Sequence, residues 1–316
     1  MTLTELRYIV AVARERHFGR AAKACFVSQP TLSAAVKKLE EELGAALFER
    51  TPGRLRVTAV GQRVVEQAQR VLEQAAAIKE LARAGHDELA GPLKVGFLST
   101  VGPYLLPDLI PVLRRRAPKM PLVVEEHMTE TLRARLKEGT LDAVVASAPF
   151  VEPGIVTLAL YEEPFALVLP AGHALARKAR LTVDELRREN LLLLGPGHCF
   201  RDQVLSVCPV CESPADDEHS IQRTLEGSSL ETIRHMVASG VGITLLPCTA
   251  VASPRHERRL LTARRFPGAQ PTRRIALAWR ASFPRPKAIA ALRAAILDCP
   301  LKCVRRLHRA AADAAA

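Results

Sequence analysis

The sequence predicts a mixed α/β protein in three parts: a short helical front end closed by a β hairpin, one long helix, and a two-lobed α/β body. Three observations carry that prediction. Leu32, Val36, Leu39 and Leu43 recur at spacings of four, three and four, the stripe of a buried helix, and two strand-sized segments follow. Val64, Ala68, Val71, Ala75, Ile78 and Ala82 then repeat as four, three, four, three, four without a break. From residue 92 to about 300, strand-sized and helix-sized apolar segments alternate, the pattern of a parallel-sheet α/β arrangement.

Size and composition agree with this division. The chain has 316 residues, about two domains' worth, with 48% hydrophobic and 25% charged residues. No apolar run approaches the roughly 20 residues of a membrane span. The N-terminus mixes Glu5, Arg7, Arg14 and Glu15 into its apolar positions, an amphipathic helix and not an export signal, so a cytoplasmic location is expected.

In the front end, residues 1–58, the first helix shows Leu6, Ile9, Val10 and Ala13 on one face, and a short second helix covers Ala21 to Cys25. Ser28 is a natural N-cap with Pro30 in the first turn of the third helix, and Gly44 ends that helix. Strands are expected at Ala46 to Glu49 and Leu55 to Thr58, joined through Thr51, Pro52 and Gly53. The long helix and hinge, residues 59–91, start behind Thr58 as N-cap and end at Gly85 and Gly91-Pro92. The small residues of its seam suit close packing, either against a second copy of the chain or against the protein's own body.

For the body, residues 92–300, the expected strands are Leu93 to Leu98, Leu122 to His127, Ala143 to Ser147, Phe165 to Leu169, Leu191 to Leu194, Ile243 to Leu246 and Ile275 to Trp279. Helices fall between them at Leu105 to Arg116, Glu130 to Glu138 and Leu230 to Ser239. Two lobes with a cleft between them are a common site for small ligands. Residues 301–316 read as a basic, Ala-rich tail.

Two short helices, a tight turn and a following β hairpin make a winged helix-turn-helix. With the leucine stripe inward, Pro30, Ser33, Ala34 and Lys37 lie on the outer face of the third helix, and Gln29 and Thr31 lie at its start. Small and hydrogen-bonding residues there suit entry into the major groove of double-stranded DNA. Lys37, Arg50, Arg54 and Arg56 are placed to meet phosphates. A helical hairpin with a solvated basic face has the same periodicity.

The run FGRAAKACFVSQPTLSAAVKKLEEELGAALFERTPGRLRVTAVG decides between them. It closely resembles the N-terminal winged helix-turn-helix of the LysR-type transcriptional regulators. That resemblance covers essentially the whole chain. It implies a long dimerising linker helix and a two-lobed effector-binding domain shaped like a periplasmic solute-binding protein, in a regulator and not an enzyme.

The segment Gly197-His198-Cys199-Phe200-Arg201-Asp202-Gln203 carries the chemistry. Cys199 falls at or just before a helix N-terminus, where the dipole favours a thiolate; Arg201 and His198 can add positive charge, and Asp202 opposes it. An accessible thiolate reacts with peroxide to a sulfenic acid, which condenses with a second thiol. If Phe200 to Val207 is helical, Cys199 and Cys208 stand nine residues apart, roughly 13 Å at helical rise. A disulfide needs Cα atoms within about 4.4–6.8 Å, so bonding these two requires the segment to melt or swing. A structural cysteine in a strand–helix turn is the other reading.

GHCFRDQ with a cysteine nine residues on, together with STVGPYLLP and SSLETIRHMVASGVGITLLP, is similar to the OxyR branch of the family, the hydrogen-peroxide sensors. The resemblance implies that Cys199 is peroxidatic and Cys208 resolves it. It also implies a peroxide pocket from Thr100, Thr129, His198, Asp202 and Arg273. A transcriptional activator of the oxidative-stress response follows, dimeric through the linker helix and tetrameric, with no membrane, needing no cofactor. RNA polymerase and a thiol reductant such as glutaredoxin or thioredoxin are the expected partners. A LysR-type regulator of a small organic metabolite bound between the lobes is the alternative.

Cys211 departs from that pattern by making Cys208-Pro209-Val210-Cys211 a C-x-x-C, so Cys211 is an alternative resolver. A zinc site with His219 would need a further ligand pair, and no metal is expected. Cys25, Cys248, Cys299 and Cys303 read as small apolar fillers or stray surface thiols.

The net charge of +12 suggests an anionic partner, but its location does not match the front end. Residues 1–91 carry 14 Lys and Arg against 11 Asp and Glu, whereas residues 253–316 carry 15 against 3. The DNA reading therefore rests on the placement of Ser33, Lys37 and the wing arginines, and the basic C-terminal part has no assigned role.

Overall fold

The computed structural model describes residues 1–51, 54–84, 87–178, 181–186, 189–207, 226–251, 260–266 and 270–307; for some of these, Arg50 and Arg54 among them, only the backbone is described. The chain separates into two compact units. One is Met1–Glu88 with Ser282–Pro284, and the other is Leu89–Ala281 with Arg285–Ala316.

The first unit opens with α1 (Leu3–Glu15), held by a capping box in which Thr2 and Glu5 satisfy each other's backbone N–H groups. Next come α2 (Phe18–Ala24) and α3 (Gln29–Leu43). The Ser28 side chain accepts from the Thr31 N–H, Pro30 sits in the first turn, and Gly44 closes the helix at φ +62°. β1 (Phe48–Thr51) and β2 (Arg54–Val57) form the antiparallel wing, and Thr58 caps α4 (Ala59–Ala84) by accepting from the Gly61 N–H at 2.8 Å. Leu32, Val36 and Leu39 are buried with Leu6, Ile9 and Val12 of α1, while Leu43, the last residue of the expected stripe, is 39% exposed.

The seam of α4 divides. Ala68 is buried in the winged domain's own core and Val64 packs on it, whereas Val71 and Ile78 are exposed, Ile78 at 69%. Packing onto the protein's own body therefore reaches Leu72, with Glu73 and Gln74 also bonded to Ser282, and leaves Val71 and Ile78 exposed.

The second unit contains β3 (Leu93–Leu98), α5 (Gly102–Arg116), β4 (Leu122–His127), α6 (Thr129–Lys137), β5 (Ala143–Ser147) and the 16-residue β6 (Ile155–Pro170). After a 3-10 turn at Ala174–Arg177 come α7 (Val183–Leu186), β7 (Leu193–Leu194), α8 (Cys199–Val207), β8 (Glu226–Gly227), α9 (Leu230–Ala238), β9 (Thr244–Pro247) and α10 (Cys248–Val251). β10 (Leu261–Arg265), β11 (Thr272–Arg280), α11 (Pro286–Asp298) and β12 (Arg305–Arg306) complete it.

The sheet is mixed, not parallel throughout. β3 is parallel to β4 and β5, where helices α5 and α6 supply the crossovers. β11 returns late in the chain and inserts antiparallel between β5 and β6, and β9 and β10 flank the far end of β6 antiparallel as well. Apolar periodicity marks a strand but not its direction, which is why this escaped the sequence. β6 joins both halves: Ile155–Pro164 pairs with β11, and Phe165–Pro170 continues into the second half. Only its apolar end, Phe165 to Leu169, is legible as a strand, because Glu162 and Glu163 interrupt the rest. Conversely, the strand expected at Leu191 to Leu194 shrinks to β7 and a bridge from Leu191 to Ile243.

The cysteines divide two and two. Cys299 is buried with its thiol pushed up to about 12 by burial, and desolvation also raises that of Cys25, as apolar fillers require. Cys248 and Cys303 instead form a disulfide, with Cα atoms 6.1 Å apart. The tail is likewise not loose from residue 301: β12 pairs with Tyr161 and Glu162, and the Leu307 N–H donates to the Leu160 carbonyl at 2.8 Å.

Candidate functional site

In the first unit, Gln29, Pro30, Thr31, Ala34 and Lys37 are exposed on one face at the start of α3, and Ser33 is half-buried among them. Lys37 lies 3.7 Å from Glu41 one turn on, an exposed pair that leaves the ammonium free to swing toward a phosphate. Arg56 is exposed on β2; the side chains of Arg50 and Arg54 lie outside the described residues. Glu40, on the far end of α3, accepts from the N–H groups of Leu47 and Phe48 at 2.7 and 3.0 Å. That pair of bonds sets where the wing leaves the helix, and sequence periodicity does not reveal it. Phe26 sits in the turn between α2 and α3 at φ +57° and is 95% exposed, a conformation few non-glycine residues adopt.

In the second unit, Cys199 is the first residue of α8, half-buried and free. The turn before it needs a glycine: Gly197 has φ +89°, and a Cβ there would stand 3.4 Å from the Met128 sulfur. This contact brings the turn against the start of α6, where Thr129 is. Phe200 and Val204 anchor the helix in the core, and Phe200 meets Phe165 of β6 edge-on at 5.1 Å between centroids.

The charges around Cys199 differ from the expectation. Arg201 donates to the Leu194 carbonyl at 2.9 Å and to Glu226 at 2.6 Å, so its charge is matched by a carboxylate. His198 is 7% exposed, and burial lowers its pKa below the ordinary imidazole value, which favours the neutral ring. Asp202 is exposed on the next residue but two from Cys199. Cys199 stands at the first position of α8, where the helix dipole favours a thiolate.

Arg273 lies over the Phe200 ring, its guanidinium carbon 5.2 Å from the centroid. It is 3% exposed and faces Glu163 directly across the β11–β6 ladder, donating Nε–H to the carboxylate at 2.7 Å. Its two terminal nitrogens hold Thr100, at 2.8 Å to Oγ1 and 2.9 Å to the carbonyl. Accepting from Arg273 leaves the Thr100 hydroxyl proton to donate elsewhere. Thr249 completes the cluster, donating both N–H and hydroxyl to Glu163.

Two buried polar atoms near α8 have no hydrogen-bond partner among the described residues: Thr129 Oγ1 and Gln203 Oε1. The Gln203 amide nitrogen donates to Ser147 at 2.7 Å, which ties α8 to the end of β5. Leaving a buried polar atom without a partner costs free energy. Glu163 and Thr249 were not anticipated as contributors, since nothing local distinguishes them before strand register places Glu163 opposite Arg273.

Cys208, Cys211 and His219 lie outside the described residues. The helix separating Cys199 from Cys208 is described through Val207, so the intervening segment is helical as expected. Among the described residues no cluster of three or more metal-ligating side chains occurs, and no helix is long and apolar enough to cross a membrane.

Comparison with known proteins places this architecture. Residues 3–62 match the bacterial regulatory helix-turn-helix protein, lysR family, and residues 86–299 match the LysR substrate binding domain. The chain belongs to the LysR family of bacterial DNA-binding transcriptional regulators. Within that family it is similar over most of its length to the OxyR proteins. It is 40% identical over 284 residues to the hydrogen peroxide-inducible genes activator of Pectobacterium carotovorum, covering 90% of this chain and 92% of that one. A full-length OxyR variant from Pseudomonas aeruginosa is 51% identical with a TM-score of 0.76, covering 98% of this chain and 99% of that one. A hydrogen-peroxide-bound OxyR variant from Corynebacterium glutamicum is 31% identical with a TM-score of 0.59, covering 94% and 91%.

Proposed function

We propose that this regulator senses hydrogen peroxide through Cys199. The observation that carries the reading is a free, half-buried cysteine at the N-terminus of α8 whose next residue, Phe200, lies under the guanidinium of Arg273, which in turn holds Thr100. Hydrogen peroxide both donates and accepts hydrogen bonds, as hydroxyl and guanidinium groups require of a ligand. The peroxide-bound relative supports the same ligand class.

In this mechanism the Cys199 thiolate attacks one peroxide oxygen; the S–O bond forms, the O–O bond breaks, and hydroxide leaves. Thr100, Thr129, neutral His198 and Arg273 supply donors that hold the peroxide and stabilise the departing oxygen, and Asp202 accepts or relays a proton. The Cys208 thiolate then attacks the sulfenic sulfur, with Cys211 as the alternative resolver; S–S forms, S–O breaks, and the departing hydroxide takes up a proton to leave as water. Closing roughly 13 Å of helix to disulfide distance unwinds α8, pulling Phe200 away from Arg273 and Phe165. That remodels the effector domain and shifts the spacing of paired DNA-binding domains.

The same reading assigns Gln29, Pro30, Thr31, Ser33 and Lys37 to the major groove and Arg50, Arg54 and Arg56 to phosphates. The exposed Val71 and Ile78 of α4 support a homodimer through that helix, assembling further to a tetramer. The protein acts in the cytoplasm as a stoichiometric switch without enzymatic turnover. It activates promoters with RNA polymerase and is reset by a thiol reductant of the glutaredoxin or thioredoxin type.

The test is thiol mapping by mass spectrometry after stoichiometric peroxide, run beside promoter footprints. Cys199 oxidation with a shifted footprint is expected. A reduced Cys199 and an unchanged footprint would leave a LysR-type regulator of another signal, which calorimetric binding of an organic ligand to Cys199→Ser would then identify.

A further inference from the structure

The Cys248–Cys303 disulfide belongs to none of the machinery above, yet it is one peptide bond from it. Cys248 opens α10 and is half-buried; Cys303 lies beyond α11 and is exposed, within reach of solution oxidants and thiols. Cys248 is followed by Thr249, which donates twice to Glu163, and Glu163 holds Arg273, which holds Thr100. On the other side of the bond, the C-terminal segment rests on β6 through a two-residue strand, and Arg305 pairs with Glu162, the neighbour of Glu163. The disulfide therefore joins two segments that both bear on one short stretch of β6.

We propose that Cys248 and Cys303 form a second, reversible thiol–disulfide site that sets the position of the Glu163–Arg273–Thr100 clamp and thereby the reactivity of Cys199. This rests on the peroxide reading for its biological meaning but not for its chemistry. In the reduced protein one of the two thiolates attacks a peroxide oxygen, forming S–O, breaking O–O and releasing hydroxide, which takes up a proton. The other thiolate attacks the sulfenic sulfur; S–S forms, S–O breaks, and the departing hydroxide takes up a proton to give a second water. Two equivalents of a glutathione-type thiol reverse the reaction by exchange through a mixed disulfide, leaving both cysteines reduced and the thiol oxidised.

The buried clamp is the element that can carry the coupling. Arg273 and Glu163 are 3% and 0% exposed, so small displacements of Thr249 are transmitted through packed, hydrogen-bonded groups and not dissipated in solvent. Release of the C-terminal segment frees Glu162 from Arg305 and lets the end of α10 relax. The Glu163 carboxylate then follows Thr249, and Arg273 follows Glu163.

The experiment uses the full chain equilibrated in glutathione buffers of graded ratio, then acid-quenched, alkylated and mapped by mass spectrometry. In parallel, the rate at which iodoacetamide alkylates Cys199 is measured in bonded wild type, chemically reduced wild type and Cys303→Ser. Cys303 is exposed, so that variant keeps the core intact, and the reduced wild type provides the same comparison without a substitution. The pair is expected to pass from reduced to bonded within the buffer series, and Cys199 alkylation to change by about three- to tenfold between the bonded and open forms. A pair that stays bonded, or stays open, across the whole series overturns the reversible site. Equal Cys199 rates in all three samples overturn the coupling. Peroxide distinguishes the two readings: if it leaves Cys199 untouched while alkylation still tracks the pair, peroxide sensing falls and the second site stands.

Discussion

Thr129 illustrates how a single atom separates stability from function. Its hydroxyl is buried without a hydrogen-bond partner among the described residues. Leaving such a group unsatisfied costs about 1–3 kcal/mol, so Thr129→Val should unfold at equal or higher denaturant concentration than wild type. If that hydroxyl donates to the departing oxygen, the same variant should oxidise about a hundredfold more slowly at Cys199 in quenched-flow mass spectrometry. An unchanged rate would remove Thr129 from the pocket. His198 makes a prediction of the opposite kind, in pH. Burial lowers its folded-state pKa below the unfolded value of about 6.5, so the unfolded chain binds the proton more tightly. Above that value both states are neutral and nothing is lost. As pH falls below it, stability drops, and the loss is complete once pH has passed the depressed folded pKa. Denaturant titrations of wild type and His198→Asn between pH 7.5 and 5 (about two units around the imidazole range) should diverge at the acid end, with the variant flatter.

At the scale of elements, α4 and α8 are helices whose faces have two destinations. The α4 seam buries Ala68 in its own domain yet exposes Val71 and Ile78. If a second copy covers those two, Val71→Glu with Ile78→Glu should move the protein from dimer to monomer in sedimentation, while Val64 and Ala68 keep the winged domain folded. A dimer that survives the double change would place the interface elsewhere. α8 is held to the core by Phe200, Val204 and Val207, and by polar ties from Arg201 to Leu194 and Glu226 and from Gln203 to Ser147. If α8 opens on oxidation, all of these contacts are the ones that must give.

For the effector unit as a whole, β6 is the common member. It pairs with β11 in one half, with β9 and β10 in the other, and with β12 at the C-terminus. The buried Arg273–Glu163 pair lies where those halves meet along the strand. Removing one partner leaves a buried charge uncompensated, so Arg273→Met should cost about 3–5 kcal/mol in equilibrium unfolding. Replacing both, as Arg273→Met with Glu163→Leu, should recover much of that loss, since a buried pair exchanged for apolar volume is often neutral. A single variant as stable as wild type would show that Glu163 does not depend on Arg273.

Local patterns were enough for the front end and for the setting of Cys199. Ser28, Pro30 and Gly44 bounded α3, the leucine stripe oriented it, and Cys199 falls at a helix start as its glycine turn requires. These are contacts within a few residues, encoded in spacing. Strand direction, the full length of β6 and the mixed sheet were not legible, because Glu162 and Glu163 look like solvent-facing charges until register sets one against Arg274 and Arg305 and the other against Arg273. Arg201 was read as a free charge near the thiol, and only the fold brings Glu226 to it. The +12 charge behaved in the same way: its C-terminal excess, set against the DNA-binding face on composition alone, is partly spent on β6 carboxylates. Cys248 and Cys303 are 55 residues apart and carry no motif, so no spacing rule could pair them. Sequence by itself determined the helical front end, the caps of α3 and the setting of Cys199 at a helix start, since each depends on periodicity or local caps. Tertiary structure alone decided which charges are paired, which cysteines meet and which hydroxyls are left open, because those depend on chain segments that only folding brings within a few ångströms.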